Sequence, residues 1–523
     1  MGTLKSWLFT VDHKRIGILY LTGSFAAFIL AGIAALIIRT QQIGPTAQFV
    51  TAQEYHQILH FHGAAMILAF LIPGLTGFFG SYVLPMMIGA REVAFPRLNA
   101  MALWMYYGGV LLAVVSTLVP DAPDIMWTGY PPYSIKTTSN TAFYVFTVDL
   151  FAISFILLAL NLVTTVIYMR APGVRWGKLN MLVWCMLSAL IMNIIDLPVL
   201  MVAVNTLLTD KYLGTRVFDP DIGGPLLYLN LFWFYSHPAV YVMFMPAMGV
   251  LFDVIATMAK NRVFNYKAAA YLGVFGTTFI SGEVWVHHIF TSGMPDWLRV
   301  IMMITTLFIS VPVGVMIVSL WGTLYKGSIT FNVAMYYAAA CLFLLLIGGL
   351  TGIPLAMVSM NLHLHGTTYV HAHFHFVMAL FATFAFLSGL YYWFPKITGR
   401  MADTGIARLA FWINMVGVNL TFWPLLIIGA EGMPRRYWNY PAFPDTFSHY
   451  HVMATVGAGL TALGMALALG NLVYCARRGT RAEANPWGSS SLEWTHTATP
   501  PVPGNFSAPL ELAADWTPYN YSR

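Results

Sequence analysis

The chain has 523 residues, 58% of them apolar and only 9% charged, with a mean hydropathy of +0.70 and a formal net charge of +6. An average soluble domain carries roughly 25% charge, so this composition excludes a soluble globular enzyme and a charged disordered chain alike. It describes an all-α integral membrane protein with room for about a dozen spans of roughly 20 residues each.

Twelve transmembrane helices are predicted, near 16–38, 59–88, 100–119, 146–169, 179–205, 229–258, 269–294, 298–321, 333–357, 369–394, 408–429 and 447–475. They form one domain over 1–476, followed by a polar extension over 477–523 that carries no chemistry of its own. With the N-terminus placed in the cytoplasm, 19 of the 26 Lys and Arg residues fall on inner segments, as the positive-inside rule requires. Both termini are then cytoplasmic, and the positive charge reports topology, with no nucleic acid as partner. The stretch before His13 is too short for a cleaved signal peptide. Cys185 and Cys341 fall inside spans and Cys475 at the inner end of the last, a spacing that fits neither a disulfide framework nor a thiolate metal centre.

Helix 2 opens with His56, His60 and His62, and Gly63 beside His62 leaves space for a flat macrocycle to approach the backbone. An intramembrane ionisable residue marks function by default, although an interfacial histidine is as common. The following inner loop carries Arg91, Glu92 and Arg97, which also serve as ordinary topogenic charge. Between helices 3 and 4, the segment Trp127-Thr-Gly-Tyr130-Pro-Pro-Tyr133-Ser134 is aromatic and turn-rich, suited to covering a site from outside. Asp149 and Asp196 lie inside helices 4 and 5, where each either relays protons or bonds a neighbouring helix.

Helix 6 contains Trp233-Phe-Tyr235-Ser236-His237-Pro238-Ala-Val-Tyr241. His237 and Tyr241 are four apart and share a face; Pro238 is expected to bend the helix and free backbone groups. Helix 7 supplies Glu283 and the adjacent pair His287-His288. Three intramembrane imidazoles make a neutral site that suits copper, zinc or iron. Glu283, four residues before His287, is expected on that ligand's face.

Helix 10 opens with the densest signal, five histidines between His363 and His375. On a helix of 3.6 residues per turn, His373 and His375 point about 200° apart, so each can ligate a different group on opposite sides. A His-rich cap at the water interface is the plainer alternative for any one pair, but it does not explain the imidazoles of helices 6 and 7.

These blocks resemble the catalytic subunit of the haem-copper oxidases, the cytochrome c oxidase subunit I family, from Asp12 to about Tyr474. The likeness rests on His62-Gly63, Ala94 to Asn99, Tyr130-Pro-Pro132, Leu208-Thr-Asp210 with Phe218-Asp-Pro220, Trp233 to Tyr241, His287-His288, His373-Phe-His375 and Gly432 to Tyr437, in that order. It implies a low-spin haem held by His62 and His375, a high-spin haem on His373, and a copper held by His237, His287 and His288. Tyr241 would be cross-linked to His237. Arg435 and Arg436 would meet haem propionates, with Trp127 also at the cofactors, and His365 would approach an outer-side metal. The haems are expected to be of the A type, and the location is a bacterial inner (cytoplasmic) membrane. The implied activity is reduction of O2 to water, coupled to proton translocation where the proton routes are kept.

The departures concern protons. Ala239 stands where the family's commonest motif has glutamate, and Tyr235-Ser236 fits a branch with Tyr-Ser before the His-Pro. Glu92 takes the place of the usual acidic entrance, and Ser81 that of an asparagine. Val313 and Met316 occupy the usual threonine and lysine positions of a second route, and neither carries a proton. Gly366 and Asn361 replace carboxylates near the magnesium site, which argues against magnesium. Glu283 is unusual for the family, with a proton-donor role and a structural hydrogen bond as its two readings; the first predicts slower turnover in Glu283→Gln.

The main rival is a nitric oxide reductase of the same superfamily, converting 2 NO to N2O without pumping; Tyr241 favours oxygen, and the lost route and Glu283 favour nitric oxide. A non-catalytic haem electron carrier would lack the copper triad, and a transporter would show paired broken helices. With no dithiolate copper centre or haem-attachment motif in the chain, electrons must come through a partner subunit, of dicopper or cytochrome c type, or from quinol. Cytochrome c or another donor, further oxidase subunits and membrane lipid are the expected partners.

Overall fold

In the structure, a computed structural model describing residues 2–443, 445–507, 510 and 512–521, the apolar runs become helices that begin at local capping signals. We number the twelve principal helices in chain order. The first, α1 (His13–Gln41), starts where the Asp12 carboxylate accepts from the backbone N–H of Lys14 and Arg15. A capping box between Thr51 and Glu54 opens α2 (Ala52–Tyr82), the kind of reciprocal cap worth about 1 kcal/mol.

The next helices are α3 (Pro96–Ser116), α4 (Thr141–Tyr168), α5 (Met181–Leu213) and α6 (Gly224–Ala259). The last runs unbroken through Pro238 and Pro246. Then come α7 (Ala268–Phe275 continued by Gly276–Ser281), α8 (Asp296–Leu324), α9 (Val333–Ala356), α10 (Thr368–Thr398), α11 (Thr404–Ala430) and α12 (Thr446–Arg478). Side chains of Asn332, Thr367 and Asp403 cap α9, α10 and α11. Among the described residues, eleven helices are long and apolar enough to cross a membrane.

The exception is α7, and it corrects the continuous span expected at 269–294. Helix Ala268–Phe275 continues only as Gly276–Ser281, and after a turn at Gly282-Glu283 a 3-10 segment runs Trp285–Ile289. The physical reason lies in Gly282, a poor helix former, and in the two histidines beyond it. On a straight α-helix neighbouring imidazoles diverge by about 100°; here the His287 and His288 rings lie 4.4 Å apart, centroid to centroid.

Small residues set how closely the helices pack, as is usual in membranes. A Cβ at Gly417 of α11 would sit 2.6 Å from the backbone nitrogen of Thr461 on α12, and one at Gly457 would sit 2.5 Å from that of Thr421. The loops α2–α3, α4–α5, α6–α7 and α10–α11 gather at one end of the bundle, where the C-terminal extension crosses them. Asn505 donates to the carbonyl of Ala90, Lys178 to Ala514, Lys260 to Gly488 and Arg400 to Gly479. The extension therefore packs on the same end as the basic loops.

Candidate functional site

A cavity of about 1190 Å3 runs through the bundle and collects residues from eight principal helices and the α7–α8 and outer loops. It exceeds the roughly 300–1,000 Å3 of an ordinary small-molecule pocket. Its walls include His62, Gly63, Trp127, Ser236, His237, Tyr241, His287, His288, His365, His371, His373, His375, Arg435 and Arg436. Tyr235 turns away from it, its hydroxyl donating to Asn193 of α5 at 3.3 Å.

Three imidazoles on this wall share one arrangement. The Nδ1–H of His62 donates to the Ala31 carbonyl at 2.9 Å, that of His375 to the His371 carbonyl at 2.8 Å, and that of His373 to the Gly348 carbonyl at 3.0 Å. A carbonyl only accepts, so each bond fixes the proton on Nδ1 and leaves the Nε2 lone pair free. This is the tautomer that a backbone carbonyl imposes on a metal-binding histidine. His373 and His375 leave α10 on different sides, as their spacing requires. His373 also meets the Thr351 hydroxyl of α9 at 3.1 Å, whereas His375 stacks on Phe422 of α11 at 4.4 Å. A π-helical segment, His375–Leu380, follows at once; such bulges recur at functional sites.

Room for flat groups is built from glycine. Gly32, Gly314 and Gly349 line the cavity and a Cβ on any of them would meet nothing within 4 Å. At Gly352 a Cβ would lie 2.9 Å from Cε1 of His373, so only glycine leaves that imidazole its place.

Across the cavity, His237, His287 and His288 each offer a nitrogen, and these three atoms lie within 4.8 Å of one another. It is the one group of its kind among the described residues. Nδ1 of His237 is 3.0 Å from Nε2 of His288, and the Thr306 hydroxyl is 3.3 Å from Nδ1 of His287. Nε2 of His237 is buried without a hydrogen-bond partner. The Tyr241 ring lies 5.0 Å from the His237 ring. Converging neutral imidazoles fit a borderline cation such as copper.

At the outer end, Arg435 and Arg436 face the cavity with no carboxylate partner among the described residues. Burial and the neighbouring Arg436 pull the proton affinity of Arg435 down to about 10, and burial lowers that of Arg436. Arg436 holds a φ of 69°, a conformation costly for a non-glycine residue. Two enclosed, unpaired guanidiniums call for paired anionic oxygens, which fits propionates. His365 stands beside them, its proton affinity pushed down to about 4 by burial and by Arg435 and Arg436.

Glu283 does not share the face of His287. It lies in the turn that ends α7, exposed and outside the cavity wall, because the helical phase counted on is broken at Gly282. His363 is exposed, Asn361 donates to the Leu355 carbonyl, and Gly366 has no neighbour near its Cβ position.

Several participants escaped the sequence reading. Ala31, Gly348 and His371 act through carbonyls, which every residue has. Arg39 resembles a topogenic charge at a span end, yet it is buried on the cavity wall, bonded to Gln42, His451 and Thr455. Its one signal is a cation flush with the apolar run.

A paired-imidazole slot, a single imidazole beside it and a three-histidine cluster facing that imidazole define the haem-copper oxidase class of catalytic subunit. The family described as "Cytochrome C and Quinol oxidase polypeptide I" matches residues 15–460, and the chain belongs to it. The chain is 39% identical over 500 residues to cytochrome c oxidase subunit 1 of Thermostichus vulcanus, covering 95% of this chain and 90% of that one. It is 40% identical over 501 residues to the same subunit of Synechocystis sp., with the same coverage. With the Cereibacter sphaeroides subunit it shares 36% over 542 residues, 96% of this chain and 94% of that one. A solved heme-copper terminal oxidase dimer matches at a TM-score of 0.74 and 22% identity over 94% of this chain and 89% of that one, a likeness of fold. The protein is thus a multi-pass haem-copper terminal oxidase catalytic subunit, one member of a larger complex, and its family implies two haems and a copper.

Proposed function

We propose that the chain reduces O2 to water with electrons that enter from cytochrome c through a partner subunit, in a bacterial inner membrane, with twelve spans and both termini in the cytoplasm. The observation that carries this is Tyr241 and the three-histidine cluster lining one cavity with His373. The names of the three relatives support cytochrome c as donor.

Bound at these imidazoles, two haems and a copper would supply, together with the Tyr241 phenol, the four electrons that O2 requires. His62 and His375 would hold the low-spin iron by their free Nε2 atoms, and His373 the high-spin iron. His237, His287 and His288 would hold the copper with no net charge of their own. Arg435 and Arg436 neutralise the propionates, and Trp127, packed where a Cβ on Gly63 would lie 3.0 Å away, closes the outer wall. The Tyr241 phenol faces the cavity as a source of one proton and one electron. Its approach to His237, whose Nε2 is otherwise unpartnered, supports the cross-link between them. Arg39, with Nε unpartnered at the cavity wall, offers a donor to a polar ring substituent, which favours haem A.

Protons enter through Glu92. Burial raises its proton affinity. Above it the Ser81 hydroxyl donates to Asn99 at 3.4 Å, and Asn161 accepts from the Phe95 N–H. Nδ2 of Asn99 and of Asn161 are both buried and free to bond water. The second route is closed: Met316 is buried, its side chain filling the space beside Gly273, and Val313 is apolar. Tyr235 and Ser236 end the first route behind His237. His365 serves the propionates here, with no magnesium.

The test is turnover in sealed vesicles with reduced cytochrome c outside. The expected result is O2 uptake with internal alkalinisation that Glu92→Gln abolishes. Uptake of O2 with quinol alone would replace the donor.

A further inference from the structure

The C-terminal extension does more than cover the inner face. It carries Asn505 to the start of α1, where the side chain is fully buried against His13 and Lys14. The bonds around it favour a neutral His13 with its proton on Nδ1. Nδ1 of His13 lies 2.6 Å from the Ser81 carbonyl, which only accepts, so the His13 proton is on Nδ1 and Nε2 presents a lone pair. Nδ2 of Asn505 lies 2.9 Å from that Nε2 and donates to it, while donating to the Ala90 carbonyl at 2.8 Å. Oδ1 of Asn505 accepts from Lys14 Nζ at 3.1 Å. Oδ1 also lies 3.1 Å from Nε2, but a proton on Nε2 would set donor against donor at the shorter Nδ2 contact, and turning the amide over would set an NH2 group against the Lys14 ammonium and an oxygen against the Ala90 carbonyl.

The surroundings tie this amide to the proton entrance. The backbone N–H of His13 donates to the Glu92 carboxylate at 3.3 Å, and Ser81, whose carbonyl receives His13, belongs to the same route. The charged and titratable groups around His13 are Asp12 and Lys14, which pair at 3.2 Å, Glu92 from the α2–α3 loop, and Tyr82 from α2. The extension adds the Asn505 amide, followed by buried Phe506 and by Leu510 against Gly89.

We propose that Asn505 is a positioning residue for proton uptake: its donated hydrogen bond holds His13 neutral and fixed between the Ser81 carbonyl and Glu92. The proposal rests on Glu92 opening the proton route. In this arrangement the extension is part of the uptake machinery, and the mouth is shaped by a residue almost 500 positions away in sequence from its partner.

The experiment follows proton uptake during single-turnover O2 reduction by the intact complex, as a function of pH, in the parent, Asn505→Asp and Asn505→Gly. Aspartate only accepts, so it favours an imidazolium. Asn505→Asp should slow uptake roughly tenfold and add a second titration between about pH 6 and 8, with both haem spectra unchanged. His13→Gln in that background should remove the added titration. Asn505→Gly, whose backbone φ of 66° glycine adopts without strain, should slow uptake without adding it, and it decides the matter if the aspartate variant does not assemble. Uptake rates and pH profiles in the variants superimposable on the parent would overturn the proposal. A parent complex that consumes no O2 would instead refute the functional reading beneath it.

Discussion

The indole of Trp233 lies flat on the imidazole of His288, ring centroids 3.5 Å apart and planes 5° from parallel. Its Nε1–H donates to the Tyr130 hydroxyl at 2.7 Å, so the outer loop orients a proposed copper ligand through one stacked ring. Residues that aim a metal ligand typically contribute 10–100-fold. Trp233→Leu should therefore lower copper content and cut turnover by about that factor while the low-spin haem spectrum stays intact. Elemental analysis beside optical spectra checks it; full copper occupancy with normal turnover would refute the orienting role.

Gly352 tests the other metal position. A methyl there collides with the His373 ring, while His62 and His375 lie on the other side of α10. Gly352→Val should abolish carbon monoxide binding to the high-spin haem and spare the low-spin spectrum.

Tyr241→Phe removes the phenolic proton from the cavity without changing its shape much. Turnover should fall by roughly 100-fold or more, with both haems and copper retained. A variant with near-normal turnover would show that the phenol is not a source of electrons or protons.

Glu283→Gln should leave turnover within about twofold of the parent, as expected of an exposed substitution away from the site. Slowed turnover with intact spectra would restore the proton-donor role that helical spacing suggested.

His365 gives a pH dependence. Its proton affinity in the fold, about 4, lies below the roughly 6.5 of an exposed imidazole. The fold therefore binds fewer protons there than the unfolded chain. The stability it contributes is fully present above about pH 6.5 and lost as pH falls through about 4, where a third cation joins Arg435 and Arg436. Acid-induced haem release should steepen over that window in the parent and be flatter in His365→Gln; identical release curves would contradict it.

These outcomes show how far the residues speak for themselves. Histidines inside apolar runs are costly unless they ligate, so His62, His237, His287, His288, His373 and His375 were legible, and the structure brings all six to one cavity. The spans were legible too, but their ends were not: α2 begins at the Thr51 cap, before its apolar run. Helical phase failed at Glu283 because one glycine ended α7. The carbonyls of Ala31 and Gly348, which fix two of the three tautomers, and the Asn505 amide at His13 are long-range contacts, and nothing local encodes them.

The central claim is that the three-histidine cluster, Tyr241 and His373 reduce oxygen. It is tested most directly by assaying the purified complex for O2 and NO consumption with the same reduced donor. Rapid O2 uptake yielding water, lost in His287→Ala, is the predicted result. Rapid NO turnover with negligible O2 uptake would contradict the account.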